Sequence, residues 1–422
     1  MAMNRAACWG AIVLVGLVGS GAVQAQAPTD YETEPVFEAK DLVGPELLQG
    51  PHFTVDPTVP VTGFLARFTI RSPYGEFMAY GLRMLPIRVN EIEAIAKLDE
   101  LSHGREFAAA LGRAAVRPAT AAVNMVTRPV ETVTGLPGGV TRLFGRIGLA
   151  GSRVAQAATA PGQGGGERAA EASRRVGTAT ITALGFEKER RRLAERLGVD
   201  PYTTNPVLSE RLTDVAWVAF SGRFAISAAS LILVPYSMAM TATSATNRAI
   251  YDTPAADLVN RATAIFAKTG ASRAQVQALV QNQQYSLSVL TALAMGLERL
   301  KGLPGRDAVV IFAANAQTQD EVNFVADAVD MLARYHEAVA PLAKVSAPGP
   351  ILGHTAAGAL ALPGPVDYVS WIEPLGSDVS RPELQASEKN AFLTGRFSPL
   401  AQQNLTSRGW KLSENFTTEA KR

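Results

Sequence analysis

Cysteine is almost absent from this chain, and its absence removes two common ways of stabilising a fold. The single cysteine, Cys8, lies in the apolar part of an N-terminal segment with the features of an export signal. A chain from which that segment has been removed has no thiol, which excludes disulfide bonds and thiolate metal sites. Its stability must then come from a hydrophobic core.

Histidine is also scarce. The four histidines, His52, His103, His336 and His354, are far apart, and none forms the two-histidine helical motif of zinc enzymes. The glycine-rich run at 162–166 lacks the Lys and the Ser or Thr of a phosphate loop, and its spacing does not fit a dinucleotide fingerprint. We therefore expect no metal and no other cofactor.

Common hydrolase motifs are missing as well, since neither Gly-X-Ser-X-Gly nor Ser-X-X-Lys occurs. Acidic pairs such as Glu91 with Glu93, or Asp327 with Asp330, suggest glycosidase carboxylates, but charged pairs of this kind usually lie on solvated helix faces. The 40 Lys and Arg residues nearly balance the 38 Asp and Glu residues, which is not the charge of a nucleic-acid-binding protein. We expect no nucleic acid partner.

The first 25 residues contain the three parts of a Sec-type export signal. Arg5 precedes an apolar stretch at 8–18, and small residues follow as far as Ala25. Cleavage is predicted after Ala25, because Pro28 disfavours a cut two residues later. This predicts a periplasmic or secreted protein. The alternative, an uncleaved N-terminal anchor, requires a longer apolar core than this one.

The next section predicts a β-hairpin packed on a helix. Apolar residues alternate over 64–70, residues 72–75 form a Ser-Pro-Tyr-Gly turn, and 77–84 supply the partner strand. Apolar residues at three- and four-residue steps predict a helix over 87–101. The side chains predicted to face inward are Phe64, Ala66, Phe68 and Ile70 in the strand and Val89, Ile92, Ile95 and Ala96 in the helix.

Positive charge is concentrated in residues 105–196, which contain 15 Lys and Arg but only 7 Asp and Glu. Within this section, 140–154 is predicted to be a basic amphipathic helix, followed by a flexible glycine-rich linker at 161–166. Such a helix favours peripheral contact with an anionic membrane surface, or docking on acidic parts of the same protein. The residues assigned to this surface are Arg142, Arg146, Arg153, Phe144 and Ile147.

Residues 201–302 predict a helical bundle from their capping signals. Asn205 precedes Pro206, Thr253 precedes Pro254, and both pairs are typical of a helix start. Ser272 with Gln275 forms a capping box, and the glycines at 270 and 302 suit helix ends.

One part of this bundle permits two interpretations. The 20 residues at 224–243 carry no charge and are long enough to cross a bilayer. Their Ser and Thr content and Pro235 favour a buried helix instead. The segment is predicted to be either a membrane span or a buried helix.

The C-terminal section predicts a small α/β layer. A β-branched run at 308–313 is predicted to be a strand, and Thr318 with Glu321 opens a helix. Further strands are predicted at 359–362 and 366–372. Near the end, Ser398, Pro399 and Gly409 bracket a helix between two strands, at 392–397 and 410–416.

Polar residues in this layer are the candidate ligand-binding residues. Asn315, Gln317 and Thr318 are expected at a strand's carboxyl end, where open α/β layers bind ligands, although helix capping explains them equally well. His336 and His354 are candidate bases, with a packed histidine as the alternative. A recognition surface, or core plus solvent face, is predicted at Asp367, Tyr368, Trp371 and Glu373.

Together these features predict a predominantly helical α+β protein with an N-terminal β-hairpin, a central helical bundle and a small C-terminal α/β layer. The leading hypothesis is a non-catalytic binding or structural module of the bacterial cell envelope, whose partner is an envelope protein, an anionic membrane surface or an unknown small molecule. The alternatives are a membrane-active protein using 140–154 and 224–243, and a hydrolase without a recognised motif. The predicted sections are a signal peptide at 1–25, the hairpin section at 26–104, the basic section at 105–200, the bundle at 201–302 and the α/β domain at 303–422.

Overall fold

A computed structural model describes residues 31–102, 185–220 and 244–416 of the chain. Within these ranges no helix combines the length and apolar character that a bilayer span requires. Several predictions concern residues outside them: the signal at 1–25, His103, the linker at 161–166, the apolar segment at 224–243, and the basic helix at 140–154 with Arg142, Phe144, Arg146, Ile147 and Arg153.

The N-terminal section is an antiparallel sheet. Its strands are paired in the order β1-β4-β5-β3-β2, with β6 on β5. The predicted hairpin is confirmed, because β5 and β6 are joined at the turn that starts at Ser72, and the inward residues Phe64, Ala66, Phe68 and Ile70 are all buried. The strands are β1 (Val36–Glu38), β2 (Gln49–Gly50), β3 (Phe53–Val55), β4 (Thr58–Thr62), β5 (Leu65–Ser72) and β6 (Gly75–Tyr80).

Three helices share a core with this sheet: α1 (Met84–Ser102), which packs on β6, α2 (185–197), and α3 (Pro206–Phe220), which packs on α1. The predicted helix at 87–101 is confirmed, and it begins three residues earlier than predicted. The cap at Asn205 is also confirmed, since its Oδ1 accepts the N–H groups of Val207 and Leu208 at 3.2 and 3.3 Å. The side chains between sheet and helices form what we call the first core.

Six further helices follow: α4 (Ser244–Asp252), α5 (Ala255–Ala267), α6 (Arg273–Val280), α7 (Leu287–Arg299), α8 (Arg306–Ala314) and α9 (Gln319–Ala338). The Ser272–Gln275 capping box is confirmed, because each residue's side chain accepts the other's backbone N–H. The cap predicted at Thr253 is wrong. Pro254 itself is the extended N-cap residue of α5, and no side-chain bond caps this helix.

The strand predicted at 308–313 is also wrong, because these residues belong to α8. A six-residue apolar run does not distinguish a buried strand from a buried helix. The buried side chains of Val309, Val310 and Ala313 follow the three- to four-residue spacing of a helix face. Asn315, Gln317 and Thr318 consequently lie between two helices, and not at the end of a strand.

A mixed sheet with the order β13-β11-β9-β8-β7 forms the C-terminal layer. The pairs β13–β11 and β11–β9 are parallel, whereas β9–β8 and β8–β7 are antiparallel. Helix α9 lies against this sheet, with the Tyr335 ring stacked on Phe392 at 5.0 Å. The strands are β7 (Leu342–Ser346), β8 (Leu352–Thr355), β9 (Leu360–Gly364), β11 (Lys389–Leu393) and β13 (Trp410–Ser413).

Shorter elements complete this layer: β10 (Tyr368–Val369), β12 (Arg396–Phe397), α10 (Glu373–Asp378) and α11 (Pro399–Ser407). The strand predicted at 359–362 and the helix after Ser398 are confirmed. Only two residues of the predicted strand at 366–372 pair, and they pair with β12. The α+β class is confirmed, although two sheets make "predominantly helical" a loose description.

The C-terminal sheet and helices α5–α9 enclose a second core, and the start of the hairpin belongs to it. Phe64 and Leu65 pack in this second core, while Ala66 and Phe68 pack in the first. The backbone O of Phe64 accepts the N–H groups of Asp367 and Tyr368 at 3.0 and 3.1 Å. We call this contact region, centred on Phe64 and Asp367, the junction.

Candidate functional site

A cleft of about 60 Å³ lies between α1, the loop at 198–204 and the N-terminal parts of α7 and α9. This volume is large enough for a few water molecules or one small polar group. Ile87, Val199 and Val289 contribute apolar walls. Among its polar residues, Asn90 and Glu91 belong to α1 and Asp200 belongs to the loop.

Glu91 of α1 is the most heavily bonded carboxylate in the cleft. Arg88, one turn earlier, forms an ion pair with it, and the Thr203 hydroxyl donates to its Oε1. The Asn205 amide donates to Oε2 at 3.1 Å, so both oxygens accept protein donors. Glu91 therefore ties α1 to the loop that starts α3.

The solvated face predicted for Glu91 and Glu93 is wrong, because these residues are 4% and 8% exposed. Their partners are distant in sequence: Glu91 contacts Thr203 and Asn205, and Glu93 accepts a bond from His52 Nδ1 at 2.8 Å. An apolar stripe identifies only the face of α1 that meets the sheet. It gives no sign that α1 is covered on its polar side too.

Asp200 is the second carboxylate of the cleft. Its Oδ1 accepts the Tyr202 backbone N–H at 2.8 Å and the Ser288 hydroxyl at 2.6 Å. Burial raises the pKa of Asp200 to about 6 against these two bonds, and the charge of Glu91 adds to the increase. Sequence reasoning missed Asp200, because a single acidic residue in a loop belongs to no pattern.

Asn90 contributes an unsatisfied acceptor. Its Nδ2 donates to the backbone O of Gly198 at 2.8 Å, which sets the orientation of the amide. Its Oδ1 is buried and has no hydrogen-bond partner among the described residues. A buried polar atom without a partner costs about 1–3 kcal/mol, so a donor that reached Oδ1 would stabilise the site.

The predicted ligand residues near 315 lie beside this cleft but form the turn between α8 and α9. Asn315 donates to Ile311 O at 2.7 Å, and the Gln317 N–H donates to Glu321 Oε2 at 2.5 Å. Thr318 Oγ1 accepts the Glu321 N–H at 3.4 Å. These are the contacts of helix ends, and the neighbouring residues Gln319 and Asn323 are the ones that line the cleft.

The two candidate histidines lie in the C-terminal layer, outside the cleft. His336 Nδ1 accepts the Leu342 backbone N–H at 2.8 Å, where α9 turns into β7. His354 Nε2 lies 2.7 Å from Ser346 Oγ on the neighbouring strand. Burial and, to a smaller extent, the charge of Lys344 lower the pKa of His354, which keeps its ring neutral near pH 7.

The group at 367–373 does not form one surface. Asp367 is bonded in the junction, and Tyr368 packs edge-on against Phe37 at 5.1 Å. Trp371 is 3% exposed, and the Arg408 guanidinium lies 4.8 Å from its ring centre. The alternative of core plus solvent face describes these contacts better than a recognition surface does.

Across 31–102, 185–220 and 244–416, no three His, Cys, Asp or Glu side chains are grouped as metal ligands would be. Comparison of the chain with known proteins found no matching family model, no matching curated protein and no matching solved structure. The function is therefore inferred from the cleft's own geometry.

Proposed function

We propose that this protein is an exported binding module of the bacterial cell envelope, and that it holds a small polar ligand in the cleft beside α1. The observation that carries the proposal is the convergence of Asn90, Glu91 and Asp200 on one concave site with apolar walls. Ligand sites combine apolar walls with a few oriented polar groups in this way. The Oδ1 of Asn90, which is buried and has no partner among the described residues, is the acceptor that we assign to a ligand donor.

The bonding of Glu91 favours a positioning role for this carboxylate over a catalytic one. A general base must offer a free lone pair to a substrate proton. Both oxygens of Glu91 already accept bonds from Arg88, Thr203 and Asn205, which fixes this carboxylate in a positioning role. At Asp200, which comes from the loop at 198–204, both described donors bond to Oδ1, so this carboxylate is the one that we assign to ligand binding.

A hydrolase is the second candidate, and the contact between Ser346 and His354 favours it. A neutral imidazole within 2.7 Å of a hydroxyl is the pairing that activates a serine nucleophile. Covalent labelling of Ser346 by a fluorophosphonate, abolished by His354→Ala in a folded variant, would favour the hydrolase over the binding module.

Export is supported by the arrangement of residues 1–25 and by the lack of cysteine in the rest of the chain. The test is to express the whole chain in a bacterial host and to separate periplasm from membranes. We expect soluble periplasmic protein whose N-terminal residue is Gln26. Membrane association that salt releases would favour the basic segment at 140–154 as a membrane contact, and carbonate resistance would favour insertion of 224–243.

Ligand binding is tested with the purified mature chain against small polar molecules: short amines, alcohols, carboxylates and the smaller amino acids. We expect one class to raise the melting temperature of the wild type. Val289→Phe, which fills the cleft from its apolar wall, should abolish that increase. Asp257→Asn on the exposed side of α5 is the control and should preserve it. A panel without any binder would contradict the proposed function.

A further inference from the structure

We infer that the cleft recognises its ligand through a primary ammonium group, so that the ligand class is a small alkylamine. This inference rests on the proposed binding function and adds the chemistry of the ligand. It follows from the acceptors that Asn90 and Asp200 present, from the local balance of charge, and from the apolar wall.

Two side chains of the cleft, Asn90 and Asp200, have accepting capacity that no described residue uses. Asn90 Oδ1 is buried without a partner in the described part of the chain, and its orientation is fixed by the bond from Nδ2 to Gly198. At Asp200, the two donors among the described residues both bond to Oδ1. A carboxylate has about four lone-pair positions, so Asp200 retains accepting capacity. An ammonium group matches such a site, because it has three donors and no acceptor.

The charges around the cleft favour the same class. Arg88 and Glu91 neutralise each other within one ion pair, which leaves the negative charge of Asp200. Arg190 is the other cation that acts on Asp200, and its effect is weaker than that of Glu91. The Nη2 of Arg190 donates to Ser209 instead. A ligand carboxylate would be repelled here, whereas an ammonium group would form a charge-assisted hydrogen bond.

The remaining wall accommodates an alkyl chain. Ile87, Val199 and Val289 line the cleft beside the acceptors, and they offer an amine's methylene groups a surface removed from water. The small volume of about 60 Å³ excludes bulky ligands. The site therefore combines one anionic, acceptor-rich end with one apolar side, which is the pattern that an alkylamine complements.

The test compares three probes of equal size and different charge: butylamine, 1-butanol and butyrate. Saturation-transfer difference NMR on the full mature chain should show butylamine bound, with at least tenfold weaker signals for the alcohol and the acid. Asp200→Asn should weaken butylamine binding at least tenfold. Asp257→Asn, which removes an exposed charge from α5, should leave binding unchanged. Val289→Phe should abolish it without altering any charge.

The possible outcomes separate this inference from the proposed function. If butylamine and 1-butanol bind equally and Val289→Phe abolishes the binding of both, the proposed binding cleft is supported and the ammonium specificity is overturned. Butylamine binding that is insensitive to both Asp200→Asn and Val289→Phe would place the amine elsewhere and overturn the inference. If Asp200→Asn does not fold, the result with Val289→Phe decides between these outcomes. Absence of binding by every probe and by the wider panel would overturn both proposals.

Discussion

The cleft and the junction each contain an aspartate whose pKa burial raises to about 6, yet the two sites differ in what surrounds the carboxyl group. Asp200 lines an open volume, and its two protein donors share one oxygen. Asp367 uses both oxygens for backbone amides, accepting from Ala66 at 2.9 Å and from Leu82 at 3.1 Å. A raised pKa thus reports mainly burial, and the geometry around the carboxyl group distinguishes a ligand site from a structural bond.

Close packing reinforces this difference. A Cβ added at Gly395 would collide with the backbone of Asp367, so the junction has no room for a ligand. The cleft, by contrast, is bordered by side chains on three sides and open between them. We therefore expect substitutions at the junction to reduce stability, and substitutions in the cleft to reduce ligand binding.

The largest expected effect is that of Asp367→Ala. It leaves the N–H groups of Ala66 and Leu82 without their acceptor and loosens the contact between the first and second cores. We expect the free energy of unfolding to fall by about 2–4 kcal/mol, measured by urea denaturation. Asp200→Ala should cost less than half as much, because its donors, the Tyr202 N–H and the Ser288 hydroxyl, border an open cleft in which water replaces the carboxylate.

The control for this prediction is Asp367→Asn. Oδ2 of Asp367 accepts from both amides, so a single amide oxygen in its place retains both bonds. This variant should keep most of the stability that Asp367→Ala loses. Equal decreases in the free energy of unfolding for Asp200→Ala and Asp367→Ala would contradict the contrast between an open and a structural site.

The first core was largely predictable from sequence, and the junction was not. A period of two at 64–70 followed by a Pro-Gly turn identified the hairpin, since local patterns determine hairpins. The bond between Asp367 and Ala66 joins residues 301 positions apart. No local pattern encodes such a contact. The sequence identifies an acidic side chain at 367. Its role depends on the Ala66 backbone N–H, which comes next to it only in the folded chain.

The cleft was even less accessible to prediction. Asn205 was identified as a helix cap, yet its amide also donates to Glu91 across the cleft, 114 positions earlier. The helix run at 308–313 was assigned as a strand, because six β-branched and apolar residues fit either state. Because of that error, the ligand residues are expected at the end of a strand. The residues that line the cleft, Gln319 and Asn323, lie about one turn further along the chain, in the N-terminal part of α9.

An intermediate effect is expected in the dependence of stability on pH. The pKa of Asp200 is higher in the folded protein, at about 6, than the ordinary value of 3.8. The folded state therefore binds the proton more tightly, and the free energy of unfolding falls as pH rises from about 4 to 6. Asp200→Asn should not show this fall in the free energy of unfolding. We expect the fall in the wild type to be about 1–2 kcal/mol, because solvent reaches this half-buried group and screens its interactions.

Urea denaturation of the wild type and Asp200→Asn at matched pH values measures this contribution. From pH 4 to 6 the free energy of unfolding of the variant should increase relative to that of the wild type. Above pH 6 the difference should stay constant. Asp257→Asn, on the exposed side of α5, should show the same dependence of stability on pH as the wild type. A difference that does not vary with pH would contradict the raised pKa of Asp200.

The smallest expected effect separates the two sites most sharply. Arg83 forms an ion pair with Asp327 and also lowers the pKa of Asp367, so it acts on the junction side. Its side chain is 39% exposed, and Arg83→Gln should cost only about 0.5–1 kcal/mol of stability. In carboxyl NMR titrations, the pKa values of Asp327 and Asp367 should both rise in this variant, while that of Asp200 should not change.

Arg71→Gln, in the exposed pair with Asp56, is the matched control and should leave all three values unaltered. A rise at Asp200 in Arg83→Gln would mean that the cleft and the junction are electrostatically coupled, and the contrast between them would then be one of degree.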